Sequence, residues 1–128
     1  MSTSERTEAA VGRWHEVVNG GDLEGVRAVV ADPVVVNGPK GSGPIAPGDF
    51  ADWIVRSGIQ LRPRSWHPVS ERVVVVEQDA RWPHDGEWSR VATVFRAGGD
   101  RVSAALRFPD LRAALEFARL YADLAATE

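Results

Sequence analysis

The feature that most constrains the fold is a series of three strand-length segments joined by two tight turn sequences, between Arg72 and Pro109. Asp85-Gly86 separates residues 72–82 from residues 87–97, and Gly98-Gly99 separates the latter from residues 101–108. Runs of β-branched and aromatic residues divided by such dipeptides are typical of consecutive hairpins. The pattern therefore predicts a three-stranded antiparallel meander, with helical segments before and after it.

The faces of this meander follow from the alternation of side chains along a strand. One predicted face is almost entirely apolar, and Gln78 and Thr93 are among its few polar groups. The opposite face carries charged residues, namely Glu77, Asp79, Arg81, Arg90, Arg96 and Arg107. An antiparallel sheet with one covered face and one wetter face has this pattern. A pocket beneath the apolar face would take its polar contacts from Gln78 and Thr93.

Helical periodicity and turn residues predict the other elements. A capping box at Ser2 and Glu5 opens a first helix that ends at Asn19-Gly20-Gly21, and Asp22 caps a second helix that stops at Asp32-Pro33. A short strand is predicted at 34–36, a Gly/Pro-rich loop at 37–48 and a third helix from 48 or 49 to 57. Residues 59–70 form an extended segment that lies at a sheet edge or contains a bulge. The last predicted helix runs from Leu111 to about Ala126.

Bulk properties exclude several classes of protein. The chain has 128 residues, which predicts a single domain over residues 1–128. It contains no cysteine, which excludes disulfides, thiolate metal sites and cysteine nucleophiles. Its net charge of -3 argues against a nucleic-acid-binding surface. The polar N-terminus and the short apolar runs predict a cytoplasmic protein with no membrane partner.

The order of elements resembles that of the nuclear transport factor 2-like superfamily, and in particular SnoaL-like bacterial proteins of unassigned function. The residues that carry the resemblance lie at 14–23, 91–102 and 107–111. The superfamily also includes ketosteroid isomerases, polyketide cyclases and epoxide hydrolases. The resemblance implies a cone-shaped α+β fold in which a curved antiparallel sheet wraps around N-terminal helices, with an extra C-terminal helix. It further implies a ligand pocket in the cone and homodimers formed through the outer face of the sheet.

The resemblance also suggests which residues form a site. Isomerase-like members carry a catalytic carboxylate after the first short strand, and here that place is held by Asn37. An amide does not take up a proton near neutral pH, so the leading prediction is binding of a small hydrophobic molecule without turnover. The predicted pocket residues are Trp14, Asn37, Trp53, His67, Gln78 and Thr93.

Two alternatives remain open. The first is a SnoaL-like cyclase, isomerase or dehydratase acting on a polyketide- or terpene-like substrate, with His67 as base because alternation from Ile59 places it inward. The second is a structural dimer module whose cone is plugged by Trp14 and Trp53.

Other candidate groups are not expected to be functional. His15 is predicted to face solvent beside the apolar stripe of the first helix, and His84 lies in a turn. The pair Asp79 and Arg81 is assigned to the charged outer face and not to a hydrolase-type site. The three histidines are isolated, and the glycines at 38–43 lack the order of a phosphate loop. No metal or cofactor is predicted.

Overall fold

Six strands and four helices make up the described part of the chain, residues 2–38 and 41–127, in the computed structural model. The elements are α1 (Thr3–Asn19), α2 (Leu23–Val29), β1 (Val30–Gly38), β2 (Gly41–Ile45), α3 (Pro47–Ser57), β3 (Gln60–Ser70), β4 (Val73–Arg81), β5 (Ser89–Gly98), β6 (Arg101–Phe108) and α4 (Leu111–Ala126). The strands form one sheet in the order β2-β1-β6-β5-β4-β3. The predicted meander is confirmed, and the sheet is mixed because β1 runs parallel to β6.

Helix ends follow the local signals in the sequence. The Ser2 hydroxyl accepts a hydrogen bond from the Glu5 backbone N–H at 3.1 Å, and the Glu5 carboxylate accepts one from the Ser2 N–H at 3.4 Å. Asp110 caps α4 in the same way, by accepting from the Ala113 N–H at 2.8 Å. Such caps satisfy backbone groups that a helix end would leave unpaired, and each stabilises the protein by about 1 kcal/mol.

The Gly/Pro-rich segment differs from the prediction of a continuous loop. Gly41–Ile45 forms the edge strand β2, which pairs antiparallel with the end of β1. An edge strand tolerates Pro44 because one side of it makes no ladder hydrogen bonds. Pro39 and Lys40, which belong to the same predicted loop, lie outside the described residues.

The inner face of the sheet packs against α1, α2 and α3. Trp14 of α1, Phe50 of α3 and Phe95 of β5 are among the largest side chains in this core, and each is at most 2% exposed. Burying a side chain of this size contributes about 2–3 kcal/mol. The N-terminal helices therefore hold the sheet through its apolar face, as the sequence predicts.

The outer face of the sheet is partly covered by α4. Ala114 and Ala118 of this helix are fully buried against Val75 of β4 and against two residues of β5, Ala92 and Val94. Small residues on the helix allow it to lie close to the strands. The prediction of a wet outer face is therefore wrong for the half beneath α4, and it holds for the part that carries the charged residues of β4 and β5.

A bulge in β3 reverses the orientation of the residues that follow it. The pairing with β4 shifts by one residue between Pro63 and Ser65, so that Arg64 is extra. Beyond it, Trp66 pairs with Val76 of the inner face, whereas His67 pairs with Val75 of the outer face. An extra residue moves every later side chain to the opposite face. The predicted inward orientation of His67 is therefore wrong.

A second bulge has the same effect in β6. Ala97 pairs with Val102 but Arg96 pairs with Ala104, so Ser103 is the extra residue. Beyond the bulge, Arg107 lies opposite Thr93 on the inner face, and Leu106 packs outward towards α4. The assignment of Arg107 to the charged outer face is wrong for this reason.

Candidate functional site

A buried hydrogen-bond network runs through the interior of the cone. The Thr93 hydroxyl donates to Gln78 Oε1 at 2.7 Å, and Gln78 Nε2 donates to His15 Nε2 at 2.7 Å. The other ring nitrogen of the histidine, Nδ1, donates to the Val11 carbonyl at 2.8 Å. This assignment of the imidazole protons follows because the Val11 carbonyl facing Nδ1 can only accept, whereas the Gln78 amide N–H facing Nε2 donates. All three side chains are almost fully buried, so the prediction of a solvent-facing His15 is wrong.

Burial keeps His15 neutral. Burial lowers the pKa of His15 from 6.5 to about 4, and this effect exceeds the opposing effect of the hydrogen bond to Val11. Both ring nitrogens are occupied by protein groups. His15 is therefore a structural part of the core and not an available acid or base.

Aromatic rings fill the space around this network. The Trp14 ring lies edge-on to Phe95 with centroids 4.9 Å apart, and the His15 ring lies 5.4 Å from Phe95 and 5.9 Å from Trp66. These contacts occupy the volume beneath the sheet. The predicted pocket residues Trp14, Gln78 and Thr93 thus come together, but they do so as packed core groups. Gln78 and Thr93 satisfy each other, whereas the buried Trp14 Nε1 has no acceptor among the described residues.

Asn37 makes a paired contact with the backbone of β6. Its Nδ2 donates to the Arg107 carbonyl at 2.8 Å, and its Oδ1 accepts from the Arg107 N–H at 2.8 Å. The amide therefore acts as a bridge between β1 and β6 and fixes the backbone at Arg107. This bridge explains why an amide suits the position, since a carboxylate could not donate to the carbonyl.

Arg107 is the unusual group at this end of the sheet. Its guanidinium lies over the ring of Trp82, with Cζ 5.4 Å from the ring centroid. Within residues 2–38 and 41–127, its buried Nε has no hydrogen-bond acceptor, and no carboxylate forms an ion pair with it. Burial lowers the pKa of the Arg107 guanidinium because desolvation penalises the charged form. A half-desolvated cation without a counter-charge is costly, and a bound anion would offset that cost.

An open cleft of about 440 Å³ lies beside Arg107, where β1 and β6 end and β5 begins. We call it the mouth site; it is lined by Asn37, Gly38, Ser42, Val91, Arg107, Phe108 and Pro109. Its volume falls in the range of small-molecule sites. The described lining residues supply a guanidinium, a hydroxyl and an apolar wall.

The two other predicted site residues lie apart from the core. Trp53 is 39% exposed and lines a separate cleft along α3, although its ring comes close to the mouth site, since a Cβ added at Gly38 would lie 3.6 Å from it. His67 lies on the outer face, where its Nε2 is 2.8 Å from the Ser65 hydroxyl, whose oxygen lies 3.3 Å from a Glu77 carboxylate oxygen. The predicted pocket is therefore divided into a filled interior, the mouth site with Asn37 and Trp53 near it, and a distant His67.

Asp79 and Arg81, which the sequence assigns to the charged outer face, lie on that face. Asp79 accepts a hydrogen bond from Arg90 Nε at 2.8 Å and forms an ion pair with Arg64 at 3.3 Å. The hydrogen bond from Arg90 holds the pKa of Asp79 below its ordinary value. Arg81 stacks on the ring of Trp88, with Cζ 4.5 Å from its centroid. These contacts form a surface network of charges, and none of these groups lines the mouth site.

Comparisons with solved structures identify the fold. A nuclear transport factor 2-like protein of unknown function from Cytophaga hutchinsonii is 11% identical, with a TM-score of 0.71 over 85% of this chain and 94% of that one. A Mycobacterium tuberculosis LEH-like epoxide hydrolase is 17% identical, with a TM-score of 0.70 over 96% of both chains. A Delta 5-3-ketosteroid isomerase from Mycobacterium sp. is 18% identical, with a TM-score of 0.67 over 84% of this chain and 95% of that one.

These likenesses confirm the predicted α+β cone of the nuclear transport factor 2-like type. Neither protein-family models nor curated protein sequences gave a match. Proteins with this fold include enzymes of different chemistries and proteins of unknown function, so the fold alone does not define an activity. In the described part of the chain, no helix is both long enough and apolar enough to cross a membrane.

Proposed function

We propose that this protein binds a small organic molecule with an ionised oxygen at the mouth site, and that Arg107 provides the principal polar contact. The observation that carries the proposal is the half-buried guanidinium of Arg107, whose buried Nε has no acceptor and which pairs with no carboxylate in the described residues, beside an open cleft of about 440 Å³. A charge-assisted hydrogen bond from such a group contributes about 1.5–3 kcal/mol.

The remaining walls fit a ligand that is apolar over most of its surface. Val91, Phe108 and Pro109 line the site with carbon atoms, and Ser42 can donate or accept one further hydrogen bond. The ring of Trp53 lies close to Gly38, which lines the same site. This mixture supports the sequence-based hypothesis of a hydrophobic ligand, with its position moved from the cone interior to the mouth.

The lining residues favour binding over turnover. Among the described residues of the mouth site, the functional groups are an amide, a hydroxyl and a guanidinium, none of which accepts a proton near neutral pH. The enzymatic alternative placed the base at His67, which lies on the opposite face of the sheet. The structural alternative assumed that the cone was plugged by Trp14 and Trp53; Trp14 is buried in the core, whereas Trp53 is 39% exposed.

Calorimetric titration with a charged ligand and its neutral analogue tests the proposal. We expect 2-naphthoate to bind and its methyl ester to bind at least about tenfold more weakly, because the ester presents no charge to Arg107. Arg107→Gln should remove the preference for the charged compound. Arg101→Gln, an exposed arginine at the other end of the same strand, is the matched control and should retain it. Equal affinities of the two compounds for the unmodified protein would refute the proposed role of Arg107.

A further inference from the structure

A second cavity, of about 160 Å³, lies on the opposite side of the sheet between α4 and the outer face. Its floor is formed by five aliphatic side chains of the sheet, among them Val94, Ala104 and Leu106, and its roof by Phe117 and Tyr121 of α4. The helix covers the strands but leaves this gap beside its aromatic residues. The cavity is thus a product of the way α4 lies on the sheet, and it is separate from the mouth site.

One charged group, Arg96, lines this otherwise apolar cavity. Its Nη1 donates to the Tyr121 hydroxyl at 2.8 Å, its Nε donates to the Ser103 hydroxyl at 2.9 Å, and its Nη2 donates to the Ser103 carbonyl at 3.4 Å. A guanidinium has five N–H groups, so these contacts orient Arg96 and leave two for another acceptor. Within the ranges 2–38 and 41–127, Arg96 forms no ion pair with a carboxylate. The cavity therefore combines a fixed positive charge with a dry apolar end.

An entrance leads to this charge from solvent. A wider cleft of about 480 Å³ shares Val73, Arg96 and Tyr121 with the cavity, so the two spaces meet at the Arg96–Tyr121 pair. Glu71 and Arg72 also line the cleft, which gives its described charged groups a positive balance. A ligand could enter with its apolar part first and keep its charged end beside the two arginines.

We propose that the cavity under α4 binds a small monocarboxylate that carries one apolar group of about the size of a phenyl ring. A cavity of about 150 Å³ lined by apolar side chains is large enough to hold benzene, which sets the size of the apolar group. The carboxylate contacts the two remaining N–H groups of Arg96, and the ring lies between Phe117 and Leu106. A monocarboxylate matches one guanidinium at the boundary between the apolar cavity and the cleft.

The experiment titrates 3-phenylpropanoate into isotopically labelled protein and follows backbone amide signals by NMR. We expect saturable shifts at residues 117–121 of α4 and at Val94 and Ala104. The neutral 3-phenylpropanamide should bind about tenfold or more weakly, because a charge-assisted hydrogen bond is lost. The absence of saturable shifts, or shifts confined to the mouth site, would overturn the proposal. The location of the shifts also separates this proposal from the proposed function, because the cavity under α4 and the mouth site are lined by different residues.

Three variants test the contacts separately. Arg96→Gln should raise the dissociation constant about tenfold or more. Ala104→Leu places added carbon atoms inside the cavity, so it should abolish binding while preserving the folded spectrum. Arg101→Gln, at the exposed start of the same strand, should bind as the unmodified protein does. Undiminished binding by a folded Ala104→Leu protein would show that the ligand lies elsewhere.

Discussion

Acid should destabilise this protein through His15, and the magnitude can be worked out from the structure. The pKa of His15 is about 4 in the folded state against 6.5 for an unperturbed histidine. The unfolded state therefore binds more protons than the folded state between these values, and stability falls as the pH falls through this window. At about 1.4 kcal/mol per pH unit, the complete effect is about 3.4 kcal/mol, of which about 2.5 kcal/mol is expressed between pH 7.5 and pH 4.5.

Urea denaturation at these two pH values measures the effect. We expect the free energy of unfolding of the unmodified protein to fall by about 2.5 kcal/mol more than that of His15→Gln, since glutamine does not titrate. The variant is expected to be less stable at both pH values because it disturbs the contact with Gln78, so the informative quantity is the change with pH. His84→Gln, in an exposed turn, is the control and should behave as the unmodified protein does. An equal loss in the unmodified protein and in His15→Gln would refute the assignment of a buried neutral imidazole.

Three further predictions concern packing and assembly. Asn37→Ala leaves the backbone N–H and carbonyl of Arg107 unpaired, so urea denaturation should show a loss of about 2–4 kcal/mol; a loss below about 1 kcal/mol would contradict the bridging role. Phe95→Ala removes a fully buried ring and should cost about 3–5 kcal/mol in the same assay, whereas an unchanged midpoint would show that the interior is not packed as described. The family resemblance predicts a homodimer through the outer face of the sheet; because α4 covers part of that face, we propose that its exposed Leu120 and Leu124 take part in the interface, so changing both to glutamate should halve the mass measured by light scattering; a monomeric unmodified protein would contradict the dimer.

The sequence predicts most of the architecture because its signals are local. The turns at Asp85-Gly86 and Gly98-Gly99 define the meander, and the caps at Ser2 and Asp110 define where α1 and α4 begin. The position of α4 is harder to predict. Its many apolar residues predict burial on more than one side, whereas only the side with Ala114 and Ala118 is fully buried and Leu120 and Leu124 are exposed. The sequence also does not say which face of the sheet receives the helix.

The site is less predictable because single extra residues reverse the alternation of side chains. The bulge at Arg64 turns His67 outward, and the bulge at Ser103 turns Arg107 inward. Alternation gives no indication of which residue in a strand is extra, so each error affects all residues beyond the bulge. Burial of His15 had a weak local signal, since it follows the apolar Val11 by four residues and therefore lies on the same buried face of α1.

Native mass spectrometry of the protein purified without denaturation tests the central claim, that a small molecule binds at Arg107, most directly. The unmodified protein, Arg107→Gln and Arg101→Gln would be prepared side by side, and masses released on denaturation would be compared. The account predicts a small bound mass on the unmodified protein and on Arg101→Gln, with at least about a tenfold lower occupancy on Arg107→Gln. A bound mass of equal occupancy on all three proteins, or none on the unmodified protein, would contradict it.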